Sequence, residues 1–142
     1  MEVFKMMIST KGRYALRVVI DLAQNCKGNY ISLKEIAARQ GVSLKYLELI
    51  VANLNKAGIV LSMRGPAGGY KLASAPKDIT AAQVITATEG SLTPVSCIEN
   101  MGGCCDRADN CLTLPMWRKL EEIVQDYLGS VTIENLINGE IH

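Results

Sequence analysis

Three cysteines, Cys97, Cys105 and Cys111, stand in a Gly-rich, polar stretch with the spacing C-x7-C-x5-C. Thiolates are soft ligands that commonly hold iron–sulfur clusters, and a stretch containing Gly102-Gly103 can wrap an inorganic core. Zinc is the competing metal, but structural zinc sites favour C-x2-4-C chelate pairs, which this stretch lacks. Adjacent Cys104 and Cys105 rarely both reach one metal ion. Cys26 stands apart and reads as a small buried hydrophobe. The single histidine, His142, is the last residue, and neither a phosphate-binding loop nor a paired-carboxylate arrangement occurs. An enzyme is therefore not expected.

The cysteines follow a segment that must position something else. Ser9 or Thr10 can cap a first helix, whose apolar positions Tyr14, Val18, Leu22 and Ala15, Val19 recur at helical spacing before the turn-rich Asn25 to Asn29. Ser32-Leu33-Lys34-Glu35 has the form of a capping box, and the helix it opens carries Ile36 and Ala37 inward and stops at Gly41. A further helix is predicted from Ser43 through Leu47, Ile50, Val51 and Leu54 to Gly58. Next come a short apolar strand, Ile59-Val60-Leu61, the turn Arg64 to Gly69, and Tyr70-Lys71-Leu72, which together predict a hairpin. Asp78 to Gln83 opens another capped helix ending near Gly90. After the cysteine stretch, 91–113, a longer helix from Pro115 places Trp117, Leu120, Val124 and Tyr127 along one stripe, with Ile123 and Leu128. A short final helix is expected from Ser130 to Asn138.

Two short helices joined at Gly41-Val42-Ser43 have the helix-turn-helix form, and the hairpin that follows makes it the winged form. Ser43, Lys45, Tyr46 and Glu48 are the polar positions near the start of the second helix. Lys45 and the helix N-terminus suit phosphate, and Glu48 can accept from a cytosine amino group. Arg64 at the hairpin tip suits a minor groove, with glycines beside it that let the backbone approach closely. Charge supports this polarity. Residues 1–75 hold 11 Lys/Arg and 4 Asp/Glu, whereas residues 76–142 hold 4 and 10. A basic front half suits a phosphate backbone. No run of about 20 apolar residues predicts a membrane span. The first residues lack a signal-peptide pattern, so the cysteines point to a reducing cytoplasm.

Met7 to Leu16, Gly41 to Glu48 and Arg64-Gly65-Pro66-Ala67-Gly68-Gly69-Tyr70 resemble the IscR-type regulators, within the wider "Rrf-two" group of bacterial winged-helix regulators. The likeness runs over nearly the whole chain. It implies a homodimer on a roughly palindromic operator, with recognition helices in two major grooves and wings in flanking minor grooves. It also implies base reading at Glu48 and a wing position for Arg64, and the expected DNA-binding set is Lys11, Ser43, Lys45, Tyr46, Glu48, Arg64 and Gly65. Cys105 to Cys111, then Leu112-Thr113 and Trp117, resembles the cluster stretch of the IscR, NsrR and RirA subgroup. The x5 spacing argues for Cys105 as a ligand, while the Gly-Gly that precedes a ligand cysteine in some relatives keeps Cys104 as the alternative.

One departure matters. Where IscR supplies a His three residues after the last Cys, this chain has Leu114. A fourth ligand that is a carboxylate, Cys104, a small thiol or absent suits a [4Fe-4S] cluster slightly better than a [2Fe-2S] one. CymR-type members lack cluster cysteines and sense through a partner protein. The expected architecture is mainly α with a small β-hairpin wing. Residues 1–75 are expected to form a winged helix-turn-helix DNA-binding domain, and residues 76–142 the sensor stretch and dimerisation helices. The expected function is a dimeric transcription regulator controlled by an iron–sulfur cluster on Cys97, Cys105 and Cys111. The alternatives are a metal-free cysteine redox switch, cysteine-metabolism sensing through a partner, and a structural zinc-binding interaction protein.

Overall fold

Ser9 accepts the Gly12 N–H at 3.3 Å and so opens α1, Thr10–Asn25. In a computed structural model, which describes residues 8–90 and 111–141, the same device recurs along the chain. Ser32 caps α2, Leu33–Gln40, and Ser43 caps α3, Leu44–Lys56. Each such cap is worth about 1 kcal/mol. Gly41 ends α2 at φ 67°, a left-handed cap that turns the chain directly into α3. The hairpin follows as β1, Val60–Met63, paired antiparallel with β2, Gly69–Leu72, in a register from Val60 opposite Leu72 to Met63 opposite Gly69. A single 3-10 turn, Pro76–Asp78, leads into α4, Ala81–Glu89. After residues 91–110 come α5, Leu114–Ser130, and α6, Ile133–Asn138.

One core joins these elements. Leu22 of α1, Ile36 of α2, Leu47 and Ile50 of α3, Val60 of β1, Val84 of α4 and Ile133 of α6 are all fully buried together. The chain is thus mainly helical with a two-stranded antiparallel wing, and α1 lies against α4, α3 and α6.

Several boundaries differ from the sequence expectation, for identifiable reasons. The strand begins at Val60 and runs on to Met63, because pairing to Gly69 outlasts the apolar run. Within the expected opening from Asp78 to Gln83, the α4 cap is Thr80. Thr80 accepts the Gln83 N–H at 3.2 Å, and the Gln83 side chain accepts the Thr80 N–H at 2.9 Å. The final helix starts at Ile133, because Val131 is extended. Its carbonyl accepts the Ala81 N–H at 2.8 Å, and the Ile133 N–H reaches the Ile79 carbonyl at 2.9 Å. Cys26 is half-buried at the C-cap of α1 rather than buried, and lines a pocket of about 280 Å³. The lead-in at residues 1–7 and the stretch 91–110, with Cys97, Cys104 and Cys105, lie outside the described residues. Among the described residues no helix is long and apolar enough to cross a membrane.

Candidate nucleic-acid interface and cysteine site

The α3 helix divides cleanly into two faces. Leu47, Ile50, Val51 and Leu54 are buried, so Lys45 and Glu48 are forced outward on the opposite side, where both are exposed. Ser43 sits at the N-cap, its hydroxyl accepting the Tyr46 N–H at 3.1 Å. An uncovered helix N-terminus flanked by a lysine presents N–H groups and positive charge to an anion. Tyr46 turns partly inward, its ring edge-on to Tyr14 of α1 with centroids 6.0 Å apart. Of the expected DNA-binding residues, Ser43, Lys45, Tyr46 and Glu48 therefore share the first turns of α3. Lys11 stands half-buried in the first turn of α1, on a separate element.

A polar clamp holds α2 against α1. Asp21 is only 3% exposed, and Arg39 at the end of α2 donates to both its oxygens, at 2.7 and 2.9 Å. The Gln40 amide nitrogen donates to the same carboxylate at 2.9 Å. The other end of that amide accepts from Arg17 Nε at 2.9 Å, and a second Arg17 nitrogen reaches the Gln40 backbone carbonyl at 3.3 Å. Arg17 also lies 4.6 Å from the centroid of the Tyr14 ring. Burial pushes the Asp21 carboxyl up, but the hydrogen bonds from Arg39 and Gln40 and the Arg39 charge outweigh it and hold it below its ordinary value. Among the described residues no buried side-chain nitrogen or oxygen lacks a hydrogen-bond partner, so the clamp joins α2 to α1 without an orphaned charge.

The wing is anchored at its base. Ile31 and Tyr70 exchange two backbone hydrogen bonds of 2.8 Å, adding a third short segment beside β2. Gly69, at φ 148°, makes this possible. A Cβ there would lie 2.2 Å from the Ile31 carbonyl oxygen. Arg64 and Gly65 occupy the tip, both exposed, with Gly65 at φ 106°. Lys71 lies 4.8 Å from the Tyr30 ring centroid.

Cys111 is the expected ligand that the described residues include. It is half-buried just before α5, with its sulfur 3.3 Å from the Thr113 hydroxyl. Thr113 is the N-cap residue of α5, yet its hydroxyl takes no helix N–H. The Cys111 sulfur and the Thr113 hydroxyl thus stand together at the N-terminal end of α5. On α5 itself only Leu114 is buried. Trp117, Leu120, Val124 and Leu128 are half-buried, and Met116, Ile123 and Tyr127 are exposed.

The sequence profile of the Rrf2 family, described as iron-dependent transcriptional regulator, matches residues 8–139. The chain belongs to the Rrf2 family. An HTH-type transcriptional regulator of Neisseria meningitidis is 41% identical over 132 residues, covering 93% of this chain and 88% of that protein. The HTH-type transcriptional regulator IscR of Klebsiella pneumoniae is 38% identical over 135 residues, covering 95% and 82%. Among solved structures, the global cysteine regulator CymR of B. subtilis superimposes with a TM-score of 0.74 at 38% identity, covering 94% of this chain and 97% of that one. T. potens IscR gives 0.73 at 35% identity, covering 94% and 87%. Rrf2 proteins are transcription regulators that bind DNA, not enzymes, and the winged-helix architecture expected from the sequence is the one this chain has.

Sequence reasoning missed two parts of this Rrf2 site. The Asp21 clamp had a signal, since an aspartate flanked by buried Val18, Val19 and Leu22 interrupts an apolar helix face. The contact between the Ser9 hydroxyl and the Glu89 carboxylate had none, because it joins residues 80 apart in sequence.

Proposed function

We propose that this Rrf2 protein is a cytoplasmic homodimer whose affinity for operator DNA is set by an iron–sulfur cluster on Cys97, Cys105 and Cys111, with Cys104 as the alternative to Cys105. The observation that carries the reading is the setting of Cys111, a half-buried thiol with a hydroxyl 3.3 Å away at the head of α5. The family's description as iron-dependent supports it. The donor chemistry fits, since soft thiolates suit iron–sulfur cores and Leu114 removes the imidazole of a three-Cys, one-His set. A [4Fe-4S] core is slightly favoured over [2Fe-2S]. Bound there, the cluster would supply a tie that breaks when iron or redox conditions change.

The chain's own residues do the rest. Lys45 and the Ser43-capped N-terminus hold phosphate, Lys11 adds charge, Tyr46 props the helix, and Glu48 accepts from a base edge. Arg64 enters a narrow minor groove, with Gly65 letting the backbone follow. Residues 1–75 thus read DNA, while 76–142 carry the sensor stretch and the pairing helices. Met116, Leu120, Ile123 and Tyr127 are spaced four, three and four apart on α5, the seam of two packed helices, which supports pairing with a second copy. A shift of α5 biases the dimer between two geometries, as any ligand switch requires.

The test is anaerobic purification with iron and sulfide analysis, followed by operator affinity before and after cluster removal. Cys97→Ser, Cys105→Ser and Cys111→Ser are each expected to lose iron and sulfide, and Cys104→Ser to keep most of both. A second reading, a metal-free thiol switch, draws support from Staphylococcus aureus CymR, solved in an oxidized form and 33% identical with a TM-score of 0.71. Protein that carries no iron or sulfide, yet changes operator affinity on oxidation, establishes that second reading instead.

A further inference from the structure

The outward face of α3 is not wholly polar. Leu49 is 58% exposed, one residue beyond Glu48 and one helical turn beyond Lys45. It has no part in the core, because Leu47, Ile50, Val51 and Leu54 fill the inward face of the same helix. Ala52 lies one turn beyond Glu48 and is also exposed, so a small apolar strip runs directly beside the carboxylate and the ammonium. A lone exposed leucine on an ordinary surface needs no explanation. This one stands on the face that a recognition helix turns into the major groove. There the single apolar feature that a base pair displays is the C5-methyl group of thymine.

We propose that Leu49 is a specificity-determining residue that packs on a thymine methyl, selecting a T·A pair next to the pair that Glu48 reads. The inference rests on the operator-binding reading above, and deepens it by naming a second element of the sequence read. The chemistry divides the work: Glu48 accepts a hydrogen bond from an amino group, whereas Leu49 rewards a methyl and is indifferent to the polar edge beside it.

The experiment uses the full chain, prepared anaerobically, and an operator obtained by selection from random duplexes. Each thymine of a half-site is then replaced in turn by deoxyuridine, which deletes the methyl and leaves every hydrogen-bonding group in place. For the wild type, one position per half-site should lose affinity about fourfold, the factor matching roughly 0.8 kcal/mol for one buried carbon. In Leu49→Ala the same replacement should change affinity by less than about 1.5-fold, because the partner of the methyl is gone. The wild-type measurement needs no variant and stands whether or not Leu49→Ala behaves well. Deoxyuridine without effect at every position overturns the assignment, as does a penalty that survives in Leu49→Ala. Selection that yields no preferred sequence overturns the operator reading itself, and the assignment with it.

Discussion

Asp21 is the one charged side chain drawn into the core among the described residues, and its energetics follow from its partners. Breaking a fully buried pair costs about 3–5 kcal/mol, and exposed pairs contribute under about 1. Arg39 is 38% exposed, so Asp21→Asn should destabilise the fold by an intermediate amount, about 2 kcal/mol near neutral pH. The sign with pH is determined. A carboxyl whose folded value is depressed contributes stability above its unfolded value of about 3.9, and that contribution is lost as pH falls through the folded value. Urea unfolding of both proteins at about pH 7 and about pH 3 should show the gap between them shrinking on the acid side. A gap of constant size would mean that the carboxylate charge is not what Arg39 recognises. The clamp was partly legible in the sequence as a misplaced aspartate, whereas its partners were not. Arg39 and Gln40 look like an ordinary solvated helix end until α2 folds back across α1.

Helix starts were the most legible elements, because a cap is a local device. Ser9, Ser32 and Ser43 act within three residues of themselves; Ser32 and Ser43 cap where the sequence placed them, and of the two candidates Ser9 and Thr10 it is Ser9 that caps α1. The expected reciprocal bond from Glu35 is a different matter, since α2 has the Ser32 arm alone among its described hydrogen bonds. The wing was legible as a hairpin, but not its anchoring to Ile31, which is a pairing over 39 positions that no local pattern encodes. That anchoring makes a sharp forecast. Gly69→Ala must move the Ile31 carbonyl or break both 2.8 Å bonds, and it adopts a backbone angle hostile to a side chain. A loss of about 1–3 kcal/mol is expected in urea unfolding, together with weaker operator binding as the wing loses its foothold. Gly129→Ala on α5, where an added methyl meets open space, should instead be neutral or stabilising by up to about 1 kcal/mol. Equal losses for the two would remove the steric argument.

Burial separates two kinds of hydrophobic residue that look alike in a sequence. Trp117 and Val124 are half-buried on α5, which packs on α4, whereas Ile123 is 53% exposed on the same helix. Periodicity identified the helix and its apolar stripe, but could not divide the stripe between a neighbour in the same chain and a second chain. If the exposed part seats a partner copy, Ile123→Glu should shift sedimentation from dimer to monomer with helical content intact, and operator affinity should fall about 100-fold or more as two-site binding is lost. Sedimentation as a dimer in spite of the buried charge would place the interface elsewhere.

The two backbone bonds between residues 79–81 and 131–133 fasten the entry to α4 to the entry to α6, so the two ends of this part of the chain are held side by side. For a polymer so pinned, the entropy of closure grows only with the logarithm of contour length, about 0.6 kcal/mol per doubling. Residues inserted between Gly90 and Cys111 are therefore expected to change the stability of the rest of the fold by under about 1 kcal/mol in urea unfolding. Under the proposed division of labour, sensing chemistry is free to diverge in length and composition while residues 1–75 keep their shape.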